Sequence, residues 1–461
     1  MDHPIETPPV DLSEGDSNLS GNRQAWEKDL DDSTREWLER DAAVFLHQSL
    51  STPCLDVLTE CRGTGMTALS GRRMLDFHGN SVHQAGHANP EVLAAVRAQL
   101  ETLPFCPRRY TNQPAVRLAE KLAAICPGDL NRVLFAPGGT SAVGMALKLA
   151  RAATGRFKTI SMWDAFHGAS LDAISVGGEA LFRRSIGPLL PGTEHVPPAD
   201  PRECLWDPNG RCGTCGLKCA RYIEYVMEKE GDVAAVIAEP IRCTRVNPPP
   251  PGYWQAVRRA CDRHGALLIF DETAVCLGRT GRMFACEHEG VVPDILILGK
   301  GLGGGVFPLA AIAAREGLNV GQEMALGHYT HEKNPVACAA GLAGIESIEK
   351  NGLVSRSRTL GRSALDGLAA RLGGHPLVDD IRGRGLLFGL ELKRDGRPAA
   401  SEADRIMYQC LRDGLSFKLS GGNFLTLTPA LTITAAELDQ ALDILADAVT
   451  SVGGPSAGPT T

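Results

Sequence analysis

Two short apolar runs near the middle of the chain constrain the fold more than any other feature. They span Leu267–Phe270 and Ile295–Leu298, and runs this short are typical of strands buried on both faces of a parallel sheet. The first run is followed by Asp271 and Glu272, and the second by Lys300 between glycines. Open α/β sheets bind ligands beyond the carboxyl ends of their parallel strands, so we expect Asp271 and Lys300 to meet in one binding site.

A carboxylate and an amine at neighbouring strand ends are the pair that a pyridoxal phosphate (PLP) enzyme requires. Lys300 would carry the cofactor as a Schiff base, and Asp271 would hold its pyridine nitrogen protonated, so that the ring can accept electrons. In other contexts a lysine in a glycine-rich turn is a solvated surface residue, and an acid pair after a strand is a common helix N-cap. The surrounding motifs favour the cofactor interpretation.

The stretch from Ala266 to Ala311 resembles the cofactor-lysine region of the class III aminotransferases, PLP enzymes of fold type I. The blocks DE, GRTG, EH-G, PDI and GKGLGGG occur there in order, and the resemblance extends over nearly all of residues 70–450. It implies an α/β fold in which a large domain holds a mostly parallel seven-stranded sheet between helices. It also implies a smaller α+β domain built from both termini, pyridoxal 5'-phosphate as the cofactor, and a homodimer.

The chain of 461 residues exceeds one typical domain. The N-terminal residues are polar, acidic and rich in Pro and Ser, which predicts a disordered arm. With the resemblance, the predicted divisions are an arm at 1–25, a segment joining the small domain at 26–85, a large PLP-binding domain at 86–335 with a cysteine-containing insert at 200–222, a C-terminal small domain at 336–451, and a disordered tail at 452–461.

Composition excludes some functions. The chain is 43% hydrophobic and 22% charged with a net charge of −7, so we expect no nucleic-acid partner. No apolar run approaches the roughly 18–20 residues that span a bilayer, and the acidic N-terminus does not resemble a signal peptide. We therefore predict a cytoplasmic enzyme without a membrane partner, in which most of the 14 cysteines are reduced.

A strand, a glycine-rich turn and a helix are predicted over Val133–Arg151, and the helix N-terminus offers free N–H groups to an anion. By resemblance, Gly139 and Thr140 bind the cofactor phosphate there. The family usually reads N-S-G-S-E-A-N-E where residues 137–144 read P-G-G-T-S-A-V-G, so both acidic positions are lost. The resemblance assigns the other cofactor contacts to Phe166 (stacked on the ring), His167 beside it, Glu239 near the cofactor oxygen, and Thr330, which reaches the phosphate of the neighbouring subunit.

Two further groups of residues have alternative interpretations. Arg108 and Arg109 precede a loop that lies at the cofactor mouth in relatives, where guanidinium groups could bind an oxyanion, but adjacent arginines are often only surface charges. Cys204, Cys212, Cys215 and Cys219 have a spacing that could bind zinc or an iron–sulfur cluster. Without a further Cys/His pair of clean spacing, a reduced insert is favoured and no metal is predicted.

The resemblance leaves the reaction open, because one PLP scaffold hosts several chemistries. Class III aminotransferases usually hold a substrate carboxylate with an Arg at the position where this chain has Thr426. The blocks DFHGNSVHQ, PFCPRRYTN and HYTHEKNP look closest to the (R)-1-hydroxy-2-aminoethylphosphonate ammonia-lyases, which implies a lyase acting on a small amine that carries a phosphonate. An ω-aminotransferase with an unusual acceptor site is the alternative. A catalytically idle, metal-binding paralogue is disfavoured by the intact Lys300, Asp271 and Phe166.

Overall fold

The two apolar runs form adjacent parallel strands at the centre of a large sheet. A computed structural model describes residues 20–49, 51–52, 54–207 and 214–453. Its strands are β1 (Leu58–Arg62), β2 (Gly65–Ala68), β3 (Arg73–Asp76), β4 (Leu130–Ala136), β5 (Lys158–Met162), β6 (Thr193–Val196), β7 (Val233–Ala238), β8 (Leu267–Asp271), β9 (Ile295–Leu298), β10 (Ala310–Arg315), β11 (Val378–Arg384), β12 (Leu387–Arg394), β13 (Arg397–Pro398), β14 (Leu415–Ser416), β15 (Lys418–Ser420) and β16 (Phe424–Leu427).

Helices cover the large sheet and the smaller sheets and connect their strands. They are α1 (Gly21–Asp29), α2 (Asp32–Val44), α3 (Pro90–Thr102), α4 (Gln113–Ile125), α5 (Gly139–Thr154), α6 (Leu171–Val176), α7 (Ala180–Arg183), α8 (Lys218–Glu230), α9 (Tyr253–His264), α10 (Pro335–Lys350), α11 (Leu353–Leu372), α12 (Ala400–Arg412) and α13 (Ala435–Gly453). Among the described residues, no helix has both the length and the apolar composition needed to cross a bilayer.

The large sheet has seven strands in the order β4-β10-β9-β8-β7-β5-β6. Every neighbouring pair from β9 to β6 is parallel, and β10 alone runs antiparallel to its neighbours. The central strands are buried on both faces. Ile269 and Ile297 pack on the side of α5, whereas Leu268, Phe270 and Leu296 enter the opposite core. This alternation explains why each run is apolar throughout, and it confirms the predicted fold class.

The small domain draws its sheets from both ends of the described chain. β14, from the C-terminal half, pairs in parallel with β3, from the N-terminal segment, and Ser416 lies opposite Asp76. A second sheet contains β11, β12, β16 and β15 in that order, and β13 pairs with β12. The sheet of β1, β2, β3 and β14 needs strands from both halves of the chain, so the N-terminal segment cannot form it alone. The exact domain boundaries stay predictions.

The N-terminal arm requires a correction, because residues 21–25 are helical. Ser20 caps α1, its hydroxyl accepting from the backbone N–H of Arg23, and Trp26 is fully buried. The Trp26 indole N–H donates to the Leu55 carbonyl, which explains why a polar segment is ordered here. Residues 1–19 lie outside the described part. At the other end α13 continues to Gly453, so residues 452–453 are helical, and 454–461 lie outside the described residues.

Trp26→Ala should lower the free energy of unfolding by about 3–5 kcal/mol, because it leaves a cavity between α1 and α12 and removes a buried hydrogen bond. Scanning calorimetry would show this as a lower melting temperature. Gln24→Ala, on the exposed side of the same helix, is the matched control and should leave the melting temperature unchanged. Equal melting temperatures for both variants would contradict the packing described for α1.

Candidate active site

A cavity of about 410 Å³ opens at the carboxyl ends of the parallel strands. Five strands each deliver residues to it just where the strand ends. These residues are Gly139 and Thr140 after β4, Phe166 and His167 after β5, Glu239 after β7, Asp271 at the end of β8, and Lys300 after β9. The structure thus brings together seven of the residues predicted from sequence, although those residues are as much as 161 positions apart along the chain.

Asp271 is a buried carboxylate with three hydrogen-bond donors. His167 Nδ1 donates to its Oδ2 at 2.9 Å. The backbone N–H and the hydroxyl of Thr273 donate to its Oδ1 at 3.0 and 2.5 Å. Burial alone would raise the pKa of Asp271, but the bonds from His167 and Thr273 outweigh it and hold the pKa below the ordinary value. The carboxylate therefore stays ionised, as a partner for a protonated ring nitrogen must.

Lys300 is held in a strained and closely packed backbone. Its φ of 47° lies in the left-handed region, which costs a non-glycine residue about 1–3 kcal/mol. A Cβ on Gly299 would lie 2.9 Å from Thr273 Cγ2, and one on Gly301 would lie 2.0 Å from Gln84 Oε1. Both neighbours of the lysine must therefore be glycine, because the backbone passes against other side chains at these two points.

The N-terminus of α5 faces the cavity and is built to receive an anion. Its N-cap is Gly138, which has no side chain to accept from the first-turn N–H groups. Gly139 and Thr140 occupy the first two positions of the helix. A Cβ on Gly168 would lie 2.1 Å from Thr140 Oγ1, so the loop after β5 packs closely on this turn only because a glycine is present. Free N–H groups and the helix dipole favour a phosphate at this point.

Glu239 joins the loops after β5 and β7. Its Oε1 accepts from the Phe166 backbone N–H at 3.2 Å, and its Oε2 accepts from the Cys243 N–H at 3.3 Å. Burial in the cavity wall raises the pKa of Glu239 above its ordinary value. The first of these bonds holds the backbone of Phe166 at the cavity wall, where its ring lies 4.5 Å from that of Phe182. Glu239 therefore positions Phe166 by binding the backbone N–H of Phe166.

Three predicted residues do not line this cavity. Arg108, Arg109 and Thr330 are exposed. Arg108 donates to His328 Nε2 at 2.9 Å and lies 3.9 Å from Glu332, so its charge is engaged with the segment that carries Thr330. The loop before α4 and the segment before α10 therefore form one surface of the chain, outside its own cavity.

The cysteine insert does not form a metal group among its described members. Cys204 and Cys215 are partly exposed, Cys219 is buried on α8, and none of the three is in a disulfide. They are absent from the His, Cys, Asp and Glu groups of the described residues that are close enough to share an ion. Cys212 lies outside the described residues, so the character of the whole insert stays a prediction.

The cavity also contains residues that the motifs did not indicate. They include Asn80 and Ser81 from the N-terminal segment, Thr273 after β8, and Lys418 and Thr428 from the small domain. Thr428 donates to the Phe77 and His78 carbonyls, tying the end of β16 to the loop after β3. None of them was predicted as a site residue, although Asn80 and Ser81 lie within the block DFHGNSVHQ. The sequence held a signal for Lys418 alone: the register of its strand places it opposite Thr426.

These residues fit pyridoxal phosphate: a buried acid for the ring nitrogen, a lysine amine, an aromatic wall and an anion-binding helix N-terminus. Together with the sheet topology they define a PLP enzyme of fold type I. The family model "Aminotransferase class-III" matches residues 47–449. The chain therefore belongs to the class III aminotransferase family, as predicted, and the predicted cofactor is confirmed.

Individual relatives agree with this assignment. The (R)-1-hydroxy-2-aminoethylphosphonate ammonia-lyase of Vibrio splendidus is 47% identical over 456 residues, which cover 95% of each chain. An acetylornithine aminotransferase of Methanopyrus kandleri is 36% identical over 83% of this chain and 93% of its own length. Among solved structures, a Bacillus anthracis aminotransferase superposes with a TM-score of 0.83 at 30% identity, covering 90% of this chain and 98% of that one.

Asp271→Asn should lower kcat/KM for the amine substrate about 10²- to 10⁴-fold, because a neutral amide cannot hold a proton on the ring nitrogen. Steady-state kinetics on cofactor-loaded protein would measure this loss. Thr273→Val is the matched control: it removes one donor to the same carboxylate but leaves the charge, and it should cost less than about tenfold. Full turnover in Asp271→Asn would show that this acid has no role in the reaction.

Proposed function

We propose that this enzyme is an ammonia-lyase that converts (R)-1-hydroxy-2-aminoethylphosphonate to phosphonoacetaldehyde and ammonia. The observation that carries the proposal is the similarity to the Vibrio splendidus lyase, which extends over almost the whole chain. The cavity also supports it, because its small-domain wall has Thr426 at the position where class III aminotransferases usually hold a substrate carboxylate with an arginine.

Thr426 is the neutral residue at this position. This residue is buried, and its hydroxyl lies 2.9 Å from Ser420 Oγ, so the two hydroxyls satisfy each other. A guanidinium at this position would add a charge-assisted bidentate contact worth about 1.5–3 kcal/mol to a carboxylate. An aminotransferase that accepts 2-oxoglutarate or pyruvate depends on such a contact. A lyase uses no keto acid, so the absence of this contact does not affect its reaction.

Bound pyridoxal phosphate supplies an electron-accepting ring that stabilises negative charge on the carbon next to the substrate amine. The Lys300 ε-amine, freed when the substrate amine takes its place, removes a proton from that carbon. The resulting ammonium at Lys300 can protonate the departing hydroxyl on the neighbouring carbon, so that water leaves. Asp271 keeps its charge throughout, because His167 and Thr273 hold its pKa low.

The product balance follows from this elimination. Loss of water across the two carbons yields an enamine, which tautomerises to an imine. Addition of water to the imine releases ammonia and phosphonoacetaldehyde, so the water lost in the first step is regained and no oxidant or keto acid is consumed. We propose that Gly139, Thr140, Phe166, His167 and Glu239 hold the cofactor in the orientation that this sequence of steps requires.

We further propose a homodimer in which Thr330 of one chain reaches the cofactor phosphate of the other. Thr330 lies outside its own cavity, so a contact with cofactor needs a second copy. Arg108 is bonded to His328 on the same segment, so Arg108 or Arg109 would approach the substrate phosphonate by the same route. We place the enzyme in the cytoplasm, because none of the 13 described cysteines is in a disulfide, as expected in a reducing compartment.

The alternative is an ω-aminotransferase, favoured by the structural similarity to solved aminotransferases, including an (S)-enantioselective ω-transaminase of Thermomicrobium roseum. Without a keto acid, an aminotransferase would transfer at most one amino group to each cofactor and stop. It would release the amine nitrogen only to an acceptor, never as ammonia.

The purified holoenzyme, incubated with (R)-1-hydroxy-2-aminoethylphosphonate and no keto acid, should release ammonia and phosphonoacetaldehyde in equal amounts over many turnovers. A coupled ammonia assay measures the first product and phosphorus NMR the second. Lys300→Ala should abolish both, since no base remains for proton removal. Absence of ammonia with either enantiomer would reject the lyase, and product limited to one per active site would favour the aminotransferase.

Thr330→Val should weaken cofactor binding about tenfold, because one hydrogen bond to a charged phosphate is lost across the dimer interface. Equilibrium dialysis of PLP measures the dissociation constant, and light scattering measures the mass of the assembly, which should be that of two chains. Thr359→Val, on the exposed side of α11, is the control. A monomer that retains cofactor, or an unchanged dissociation constant, would refute the contribution across the interface.

A further inference from the structure

We propose that Lys418 is the specificity-determining residue that holds the substrate's anionic group inside the cavity. The identity of that anion, a phosphonate, rests on the proposed function, but the position of the lysine does not. Lys418 is the first residue of β15, and it lies outside the motifs that place the cofactor.

Strand register places Lys418 beside Thr426 on the small-domain wall. β15 and β16 are antiparallel, and Lys418 lies directly opposite Thr426. Residues opposite each other in an antiparallel pair project from the same face, with Cβ atoms about 4.5–5.5 Å apart. Both residues line the cavity. An ammonium on β15 can therefore reach the space next to the Thr426 hydroxyl, so the small-domain wall presents a lysine beside a threonine.

Charge within the cavity points to the same residue. Among the described residues that line it, Lys300 and Lys418 are the two lysines, and the lining contains no arginine. Lys300 is the base and the cofactor anchor, and His167 is bonded to Asp271. Glu239 and Asp271 are acids and would repel an anion. An anionic group on a substrate whose amine lies near Lys300 is therefore attracted to the wall formed by β15 and β16.

The residue type also suits a tetrahedral anion. An ammonium is a compact point charge with three rotatable donors, so it can bind a phosphate-like group without a preferred plane. The wall is held in place, because Thr428 is bonded to the Phe77 and His78 carbonyls and the Ser420–Thr426 contact joins the two strands. A lysine anchored on such a wall can select short amines by the charge at their far end.

The test compares two probes on the holoenzyme of Lys418→Met, Lys418→Arg and the wild type. 2-Aminoethylphosphonate carries the anion but lacks the hydroxyl leaving group, and 2-aminoethanol carries the amine without the anion. Binding of each is followed by the absorbance of the bound cofactor. Lys418→Met should weaken 2-aminoethylphosphonate about 10- to 100-fold and change 2-aminoethanol less than about twofold, and Lys418→Arg should recover part of the phosphonate affinity.

Lys148→Met, on the exposed face of α5 outside the cavity, is the matched control and should bind both probes as the wild type does. Unchanged phosphonate affinity in Lys418→Met, or equal weakening of both probes, would overturn the proposal, since the second result indicates a structural defect. These affinities are independent of turnover. Failure of the wild type to release ammonia would therefore reject the proposed function while leaving the role of Lys418 to be decided by the ratio of the two affinities.

Discussion

A buried, ionised carboxylate at the end of β8 is the interaction on which the rest of the site depends. Taking an isolated charge out of water costs several kcal/mol, so Asp271 is tolerable only because His167 and Thr273 donate to it. His167 comes from the loop after β5, two strands away in the sheet, which requires β7 to lie between them. The charge state of the acid therefore depends on the order of the parallel strands.

The cavity has two walls with different tasks. The large sheet contributes the acid, the lysine, the aromatic ring and the anion-binding helix terminus, which together support any reaction of this cofactor. The small domain contributes Lys418, Thr426 and Thr428, which line the side of the cavity formed by β15 and β16. A scaffold divided in this way can exchange one reaction for another by changing β15 and β16 while the cofactor site stays the same.

Much of this arrangement could be predicted from sequence because it is encoded locally. The apolar runs before Asp271 and Lys300, and the glycine turn at Gly139, each specify a strand end within a few residues, and parallel strands bring such ends to one edge. Residues 21–25 were misjudged because their composition is polar, whereas the buried Trp26 holds the helix that they begin against α12. Arg108 and Arg109 were placed by analogy, and the folded chain holds them outside its own cavity.

The sequence by itself determined the fold class, the cofactor and the seven residues that meet at the strand ends, because short-range periodicity and closely spaced motifs carry that information. Tertiary structure alone decided which side chain faces Thr426, and how the loop after β3 closes the cavity. The physical reason is that strand pairing is a long-range property: Ser416 lies opposite Asp76, and Lys418 opposite Thr426, only once the register of β14, β15 and β16 has been set.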